Sequence, residues 1–498
     1  MVELKNVNFE YTSTEGAAGG IDEKISNGNL RGVNLSVAKG EFVLLTGGSG
    51  CGKTTILRLI NGLIPNFFEG RLEGSVTVDG FDVSHTELYD TAKSVSTVFQ
   101  NPRSQFFNVD TTSELAFACE NRGMKEREIL QRIDSTVSEL HLEPLMNRSL
   151  FDLSGGQKQK IACASVAVAG NQIILLDEPS ANLDLQSIDE LAGLLQKWKA
   201  EGKTIIVAEH RISYLWDLAD RTVILNDGKI VRELSRAQMN KISEEELHGL
   251  GLRSACHLEE IICHPELVSG STSNETLKQV QGDVSGFLTL HNFRYKYRNG
   301  CVALNIPQMQ IPVGKITAIT GNNGEGKTTL LNCLCGLGRR SKGTLEYNGK
   351  IYNRRQRQKL IYLVMQDVNH QLFTESVLDE VVISQAEANE EEARRILASL
   401  DLEQFANRHP QSLSGGQKQR VAVASAIASG RDIMLFDEPT SGLDYTHMLQ
   451  IGQILRSLKD QGKTVIVVTH DRELIKECCD CEICLHDFNK INPLEDLR

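Results

Sequence analysis

The chain is expected to fold as two tandem α/β domains, each an open, mostly parallel sheet with its chemistry at the strand ends. Three observations predict this. One long unit is written twice. In each copy a short β-rich run stops at a glycine-rich loop and continues as a helix. Two further apolar runs per copy stop at a carboxylate or just before a histidine. The 498 residues suffice for two large domains, and 40% apolar with 24% charged residues is ordinary for filled cores.

The repeat is carried by four blocks in one order. Gly47-Gly48-Ser49-Gly50-Cys51-Gly52-Lys53-Thr54 returns as Gly321-Asn322-Asn323-Gly324-Glu325-Gly326-Lys327-Thr328, and Leu153-Ser154-Gly155-Gly156-Gln157 as Leu413-Ser414-Gly415-Gly416-Gln417. Leu176-Asp177-Glu178-Pro179 returns as Phe436-Asp437-Glu438-Pro439, and His210 as His470. The halves span residues 1–250 and 286–498. A linker over 251–285 is marked by Pro265–Asp283, where apolar periodicity gives way to Ser, Thr, Gly and Gln. Thr12–Asn29 reads as a Gly/Ser/Asn-rich loop insertion in the first half.

Within the halves, Glu41–Thr46 and Lys315–Thr320 read as strands feeding the glycine loops. Gln172–Leu176 and Asp432–Phe436 read as buried strands ending at carboxylates, and Thr204–Ala208 and Thr464–Val468 as strands ending before the histidines. Composition narrows the function classes. A formal net charge of −12 argues against a protein built to neutralise nucleic-acid phosphates. No apolar run approaches the ~20 residues of a membrane span. The start MVELKNVNFEY lacks a basic segment followed by an apolar one, so a cytoplasmic protein is expected. Twelve scattered cysteines do not read as a disulfide framework. Cys478, Cys479, Cys481 and Cys484 are dense enough to raise a metal site, against a buried strand over Glu482–Leu485, and Cys256-His257 and Cys263-His264 fall in linker-like sequence.

A strand, then G-x-x-x-x-G-K-[ST], then a helix is the phosphate-binding loop of the P-loop NTPase fold. Its glycines let backbone N–H groups converge on phosphate oxygens at a helix N-terminus. Lys53 and Lys327 should reach the β- and γ-phosphates, with Thr54 and Thr328 on Mg²⁺ and Thr55 and Thr329 beside the nucleotide. Asp177 and Asp437 should hold Mg²⁺ through water. Glu178 and Glu438, one position on, should polarise the attacking water as general bases.

With Ser154–Gln157 and Ser414–Gln417 lying between phosphate loop and Asp-Glu-Pro, both halves resemble the ABC-type ATPases. The resemblance implies two ABC ATPase domains, each with a helical subdomain, closing head-to-tail so that both ATP sites form within one chain. The phosphate loop of one half and the Ser-Gly-Gly of the other then hold one ATP. It further implies that Gln100 and Gln366 sense Mg²⁺ and the attacking water, and that Asp184 and Asp444 belong to the cross-dimer loop. His210 and His470 contact the γ-phosphate, and Tyr11 and Tyr295 stack on adenine, with Tyr297 a competitor to Tyr295. The segment after His470 corresponds to a helix and a strand, placing Cys484 in the strand.

Finer features are similar to the ATPases of energy-coupling factor importers. These are Gln105-Phe106-Phe107 and Gln371-Leu372-Phe373 five residues after each glutamine, the run NGLIPNFFEG from Asn61, and Ala208-Glu209-His210-Arg211. That resemblance implies a motor at the cytoplasmic face of the membrane that hydrolyses ATP with Mg²⁺ to drive uptake of a vitamin or metal ion. Its partners would be a membrane coupling subunit and a substrate-binding subunit, with no nucleic acid. The alternative is a twin-ATPase translation factor acting on ribosomes, although Pro265–Asp283 does not look like that family's charged inter-domain arm. Two loop residues are expected to set the sites apart. Cys51, a thiol at a helix N-terminus beside Lys53, should have a lowered pKa. Glu325 brings a negative charge towards a triphosphate unless it points away.

Overall fold

The computed structural model describes residues 1–12, 28–181, 183–256, 286–298, 300–413 and 415–489, without the side chain of Arg103. Ser414, the linker motif Pro265–Asp283 and most of the Thr12–Asn29 insertion lie outside the described residues. Two compact units follow the two halves of the repeat.

In the first unit, Phe42–Gly47, Thr204–Ala208, Ile173–Asp177 and Val95–Val98 lie side by side as parallel neighbours. Arg221–Asn226 joins Phe42–Gly47 on its other side, and the antiparallel Lys229–Ser235 closes that edge. Thr204–Ala208 and Ile173–Asp177 are buried along their whole length, which is why they read as continuous apolar runs rather than alternating ones. The second unit repeats the arrangement with five parallel strands in the order Ile361–Val364, Ile433–Asp437, Thr464–Val468, Ile316–Thr320, Cys481–Cys484. Cys484 therefore stands in a strand, as the family resemblance implies. Among the described residues no three His, Cys, Asp or Glu side chains converge to hold a metal, so the metal reading of the cysteine cluster is not supported.

Each unit also carries a four-stranded antiparallel sheet that the mostly parallel expectation leaves out. In the first unit its order is Leu30–Val37, Val2–Tyr11, Gly70–Val78, Phe81–Asp82, and in the second Val302–Pro312, Phe287–Lys296, Lys342–Tyr347, Lys350–Tyr352. Val2, Leu4, Val7 and Phe9 point into the core, with a register shift between Leu4 and Val7 that breaks the strict alternation a strand shows in sequence. Helices Thr111–Glu120, Glu126–Glu139 and Gly155–Ala169 bury Leu115, Cys119, Ile129, Ile133 and Ile161 in a core of their own. Val377–Val382, Glu390–Ser399 and Gly415–Ala428 are their counterparts. No described helix is long and apolar enough to cross a membrane.

Candidate active site

Because the core strands are parallel, their carboxyl ends meet along one edge, and there the phosphate loop, Asp177-Glu178 and His210 converge. Gly47 has φ 145° and would place a Cβ 2.1 Å from the Leu225 carbonyl oxygen, so no other residue fits. Gly52, at φ 106°, precedes helix Lys53–Ile60, and Gly326, at φ 95°, precedes Lys327–Leu334. Each loop thus delivers a helix N-terminus with its N–H groups to the site of its own unit.

Lys53 is buried, and its Nζ donates to the carbonyls of Gly47 and Gly48 at 3.0 and 3.1 Å. Lys327 donates likewise to Gly321 and Asn322 at 2.7 and 2.9 Å. Thr54 Oγ1 donates to Asp177 Oδ1 at 3.0 Å. Burial and the neighbouring Glu178 push the Asp177 carboxyl up to about 7, against the pull of Thr54, Arg58 and Lys53. Burial raises Asp437 as well, opposed by Thr328 and Lys327. A buried carboxylate beside a hydroxyl, lacking a full counter-charge, is the donor set a divalent cation suits. The residues present therefore fit Mg²⁺, which Thr54 and Asp177 would hold in the first site and Thr328 and Asp437 in the second. When bound, the ion would neutralise phosphate charge.

Glu178 and Glu438 share an uncommon backbone conformation, with φ 44° and 47°. A left-handed glutamate is uncommon, and it recurs here at the same position of both repeats, as left-handed residues also do at His141 and Asp401. Each is pinned by its own N–H, to Ala208 O at 2.8 Å and to Val468 O at 2.9 Å. Glu178 Oε1 lies 3.3 Å from His210 Nε2, and Glu178 Oε2 accepts from Gln100 Nε2 at 2.6 Å. His210 Nε2 is also 3.3 Å from Lys53 Nζ. Burial would raise the Glu178 carboxyl, yet His210, Lys53 and Gln100 outweigh it and hold it below its ordinary value. It is therefore ionised, the state that a general base needs. In the second unit His470 Nε2 stands 3.6 Å from Glu438 Oε1. The counterpart glutamine Gln366 follows strand Ile361–Val364 as Gln100 follows Val95–Val98.

Ser154 and Gln157 form a reciprocal cap on helix Gly155–Ala169: the Gln157 N–H donates to Ser154 Oγ and the Ser154 N–H to Gln157 Oε1. The Gln157 N–H and Oε1 are thus engaged at the helix start. Gly155 and Gly156, at the first turn, are left to present backbone N–H groups. Gly415 and Gly416 open helix Gly415–Ala428, with Gln417 in its first turn. Asp184 is buried and caps helix Leu185–Ala200 through the Ser187 N–H, and Asp444 is buried too.

One expectation is corrected. Cys51 is buried, and that burial raises its thiol pKa. The Lys53 ammonium lowers it by less, so the thiol is not activated. The tyrosines make different contacts in the two units. Tyr11 OH lies 3.2 Å from Thr55 Oγ1 and accepts from Arg58 Nη1, with Phe9 and Phe68 edge-on to its ring. In the second unit the matching contact, to Thr329 Oγ1 at 2.7 Å, is made by Tyr297, while Tyr295 lies edge-on against Tyr297. Glu325, by contrast, turns back onto its own loop: Oε2 accepts the Asn322 N–H at 2.9 Å and Oε1 the Asn322 amide at 3.1 Å.

Sequence reasoning passed over Glu114 and Glu380. Each is buried and accepts two successive backbone N–H groups, Phe107 and Asn108 in one unit, Phe373 and Thr374 in the other. Gln105 and Gln371 staple the same loops by accepting from the N–H groups of Phe99 and Met365. The rings of Phe107 and Phe373 are left 76% and 74% exposed. The signal was a second repeat, Gln-x-Phe followed by Glu seven residues after the Phe, with no chemistry attached to it.

Comparison with known proteins agrees with this geometry. The family model described as "ABC transporter" matches residues 30–181 and 304–441. A Treponema denticola protein provisionally named an ABC transporter ATP-binding protein is 44% identical over 96% of this chain and 94% of its own length. A second from that organism is 38% identical over 98% and 95%, and one from Methanosarcina acetivorans 32% identical over 96% and 83%. Among solved structures, "RNase-L Inhibitor" aligns with a TM-score of 0.60 at 21% identity, covering 96% of this chain and 87% of that one. The archaeal ribosome recycling factor aABCE1, solved with ribosomal stalk protein aP1, gives 0.60 at 22%, covering 92% and 85%. At such identities the likeness is one of fold. The chain belongs to the ABC transporter family, as an ATP-binding protein and ATPase with two tandem ABC domains of P-loop NTPase α/β fold.

Proposed function

We propose that the chain is the ATP-hydrolysing motor of an energy-coupling factor importer. Bound from the cytoplasmic face to a membrane coupling subunit and a substrate-binding subunit, it would drive uptake of a vitamin or metal ion. Its domains are 1–250 and 286–498, joined by 251–285, and close head-to-tail around two ATP molecules. The observation that carries the motor reading is the Lys53–His210–Glu178 constellation, with each member within 3.3 Å of His210. Glu178 takes a proton from water as its oxygen bonds to the γ-phosphorus and the bond to the β–γ bridging oxygen breaks, releasing ADP; His210 holds the phosphate side, and Lys53 exchanges its loop carbonyls for phosphate oxygens. Tyr11 and Tyr295 or Tyr297 flank the adenine.

Docking to membrane subunits is supported by the exposed rings of Phe107 and Phe373. Large apolar groups held outward by a buried glutamate, once per domain, suit an apolar helical segment of a partner. The named relatives are ABC transporter ATP-binding proteins. Purification from membranes of its own cells tests the reading. Recovery with hydrophobic membrane subunits supports it, with loss of that recovery on Phe107→Ser plus Phe373→Ser while ATPase activity persists. Sedimentation with ribosomes in place of membrane subunits would favour the translation-factor alternative.

A further inference from the structure

The residue before each active-site histidine, or the one after it, ties two loops together, and the two units do it with different residues. In the first unit the Glu209 carboxylate is 2% exposed and accepts four hydrogen bonds. Oε1 takes the N–H groups of His210 and Arg211 at 2.8 and 3.2 Å. Oε2 takes the Ser180 N–H at 3.2 Å and the Tyr214 hydroxyl at 3.0 Å. Ser180 lies two residues after Glu178. One carboxylate thus bridges the turn that leaves Glu178 and the turn that carries His210.

The second unit has Thr469 at the Glu209 position, and a threonine is too short to make that bridge. Asp471, two residues on and also buried, makes it instead. Asp471 Oδ2 accepts the hydroxyl of Thr440, the counterpart of Ser180, at 2.7 Å. Oδ1 accepts the Leu474 N–H at 3.2 Å, and the Asp471 N–H donates to Thr469 Oγ1 at 3.0 Å. The carboxylate has moved two positions along the loop, while the two segments it joins are unchanged.

We infer that Glu209 and Asp471 are positioning residues for ATP hydrolysis, equivalent in role though not in position, that hold each histidine loop in register with its general base. The inference rests on reading Glu178 and Glu438 as those bases. The physical need is plain. Glu178 and His210 sit in separate loops beyond separate strands, and their 3.3 Å contact holds only if the loops do not slide. An error of about 1 Å in such a geometry can cost about 10²-fold in rate. A buried carboxylate that collects donors from both loops resists sliding, since any shift strands an N–H or hydroxyl away from water. Tyr214 is suited to this, because burial and the adjacent Glu209 raise its hydroxyl far above the ordinary range and keep it a donor.

The test uses the full chain carrying Glu438→Gln, so that turnover reports the first site. Glu209→Gln places an amide NH₂ where an acceptor is required. It should lower kcat about 10- to 100-fold with KM for ATP, and affinity for a fluorescent ATP analogue, within about threefold of the parent. Glu209→Thr with Arg211→Asp and Tyr214→Leu transplants the second unit's pattern, since Leu474 stands at the Tyr214 position; it also frees the Ser180 hydroxyl, otherwise bonded to Tyr214, as donor, and should restore kcat to within about fivefold. Parental kcat in Glu209→Gln, or a transplant as slow as that variant, would overturn the inference. Should Glu209→Gln fail to fold, the transplant decides alone: near-parental turnover supports the tie, and turnover as low as in Glu178→Gln on the same background overturns it. That last chain also separates the two readings. If it keeps parental turnover, the assignment of the base has failed, whatever Glu209 does.

Discussion

The two units carry the same machinery on loops of different make-up. Both hold a glutamate in left-handed backbone conformation, φ 44° and 47°, and both fold their phosphate-loop lysine onto two loop carbonyls. They differ at the fifth loop residue, where a buried Cys51 faces a loop-bound Glu325, and in which residue ties the histidine loop. The difference separates what the chemistry needs from what the scaffold tolerates. The glutamate, the lysine and the histidine keep their positions; in the proposed mechanism each must meet the same atoms of one substrate. The supports vary, because a tie has only to be satisfied, and more than one side chain can satisfy it.

The most severe break of this comparison removes what the units share. Glu178→Gln with Glu438→Gln should lower ATP turnover by about 10²- to 10⁴-fold while ATP still binds, measured by phosphate release and equilibrium binding. Parental turnover would show the two glutamates are not the bases. Next comes the pairing across halves. Lys53→Ala with Ser154→Arg should silence both sites, whereas Lys53→Ala with Ser414→Arg should leave one intact. Equal residual rates, under conditions where one site turns over alone, would contradict head-to-tail closure.

Smaller effects sharpen the contrast. Glu325→Cys gives the second loop the first loop's residue, and should tighten ATP binding there about three- to tenfold at low salt. The gain should shrink as the Debye length falls from about 30 Å at 0.01 M to about 8 Å at 0.15 M. An affinity gain independent of salt would point to loop shape rather than charge. Thiol labelling followed by mass spectrometry should modify the exposed Cys301 and Cys256 well ahead of Cys51, reversing what a lysine at a helix N-terminus suggests. The smallest effect concerns helix starts. Asp110 caps Thr111–Glu120, while Ser376 caps Val377–Val382. Hydrogen bonds from Ser113 hold the Asp110 carboxyl below its ordinary 3.8. Its stabilisation is therefore present above that value and lost as pH falls through the depressed folded one. Asp110→Ala should cost about 1 kcal/mol near neutrality and less at pH 2. Thermal melts at the two pH values check this.

Much of the fold and of the site is legible in the sequence because it is written in local chemistry. A loop that wraps phosphate needs glycines at set spacings, and a strand buried on both faces needs a short apolar run. Lys53, Asp177, Glu178 and His210 stand out on those grounds, as do the strands Thr204–Ala208 and Thr464–Val468, which match residue for residue. Those features, and the repeat itself, follow from the sequence alone. The antiparallel sheets are hidden by register shifts, after Leu4 in one unit and after His291 in the other, that break strand periodicity. Cys51 reads as activated in sequence, but reactivity depends on burial, which comes from residues far along the chain. Tyr297 displaces Tyr295 at the loop threonine because spacing from Phe293 does not say which ring reaches Thr329. The ties through Glu209 and Asp471 needed the tertiary structure most of all. They join residues 29 and 31 positions apart, and moving the carboxylate two positions erases the pattern in sequence while preserving the contact in space.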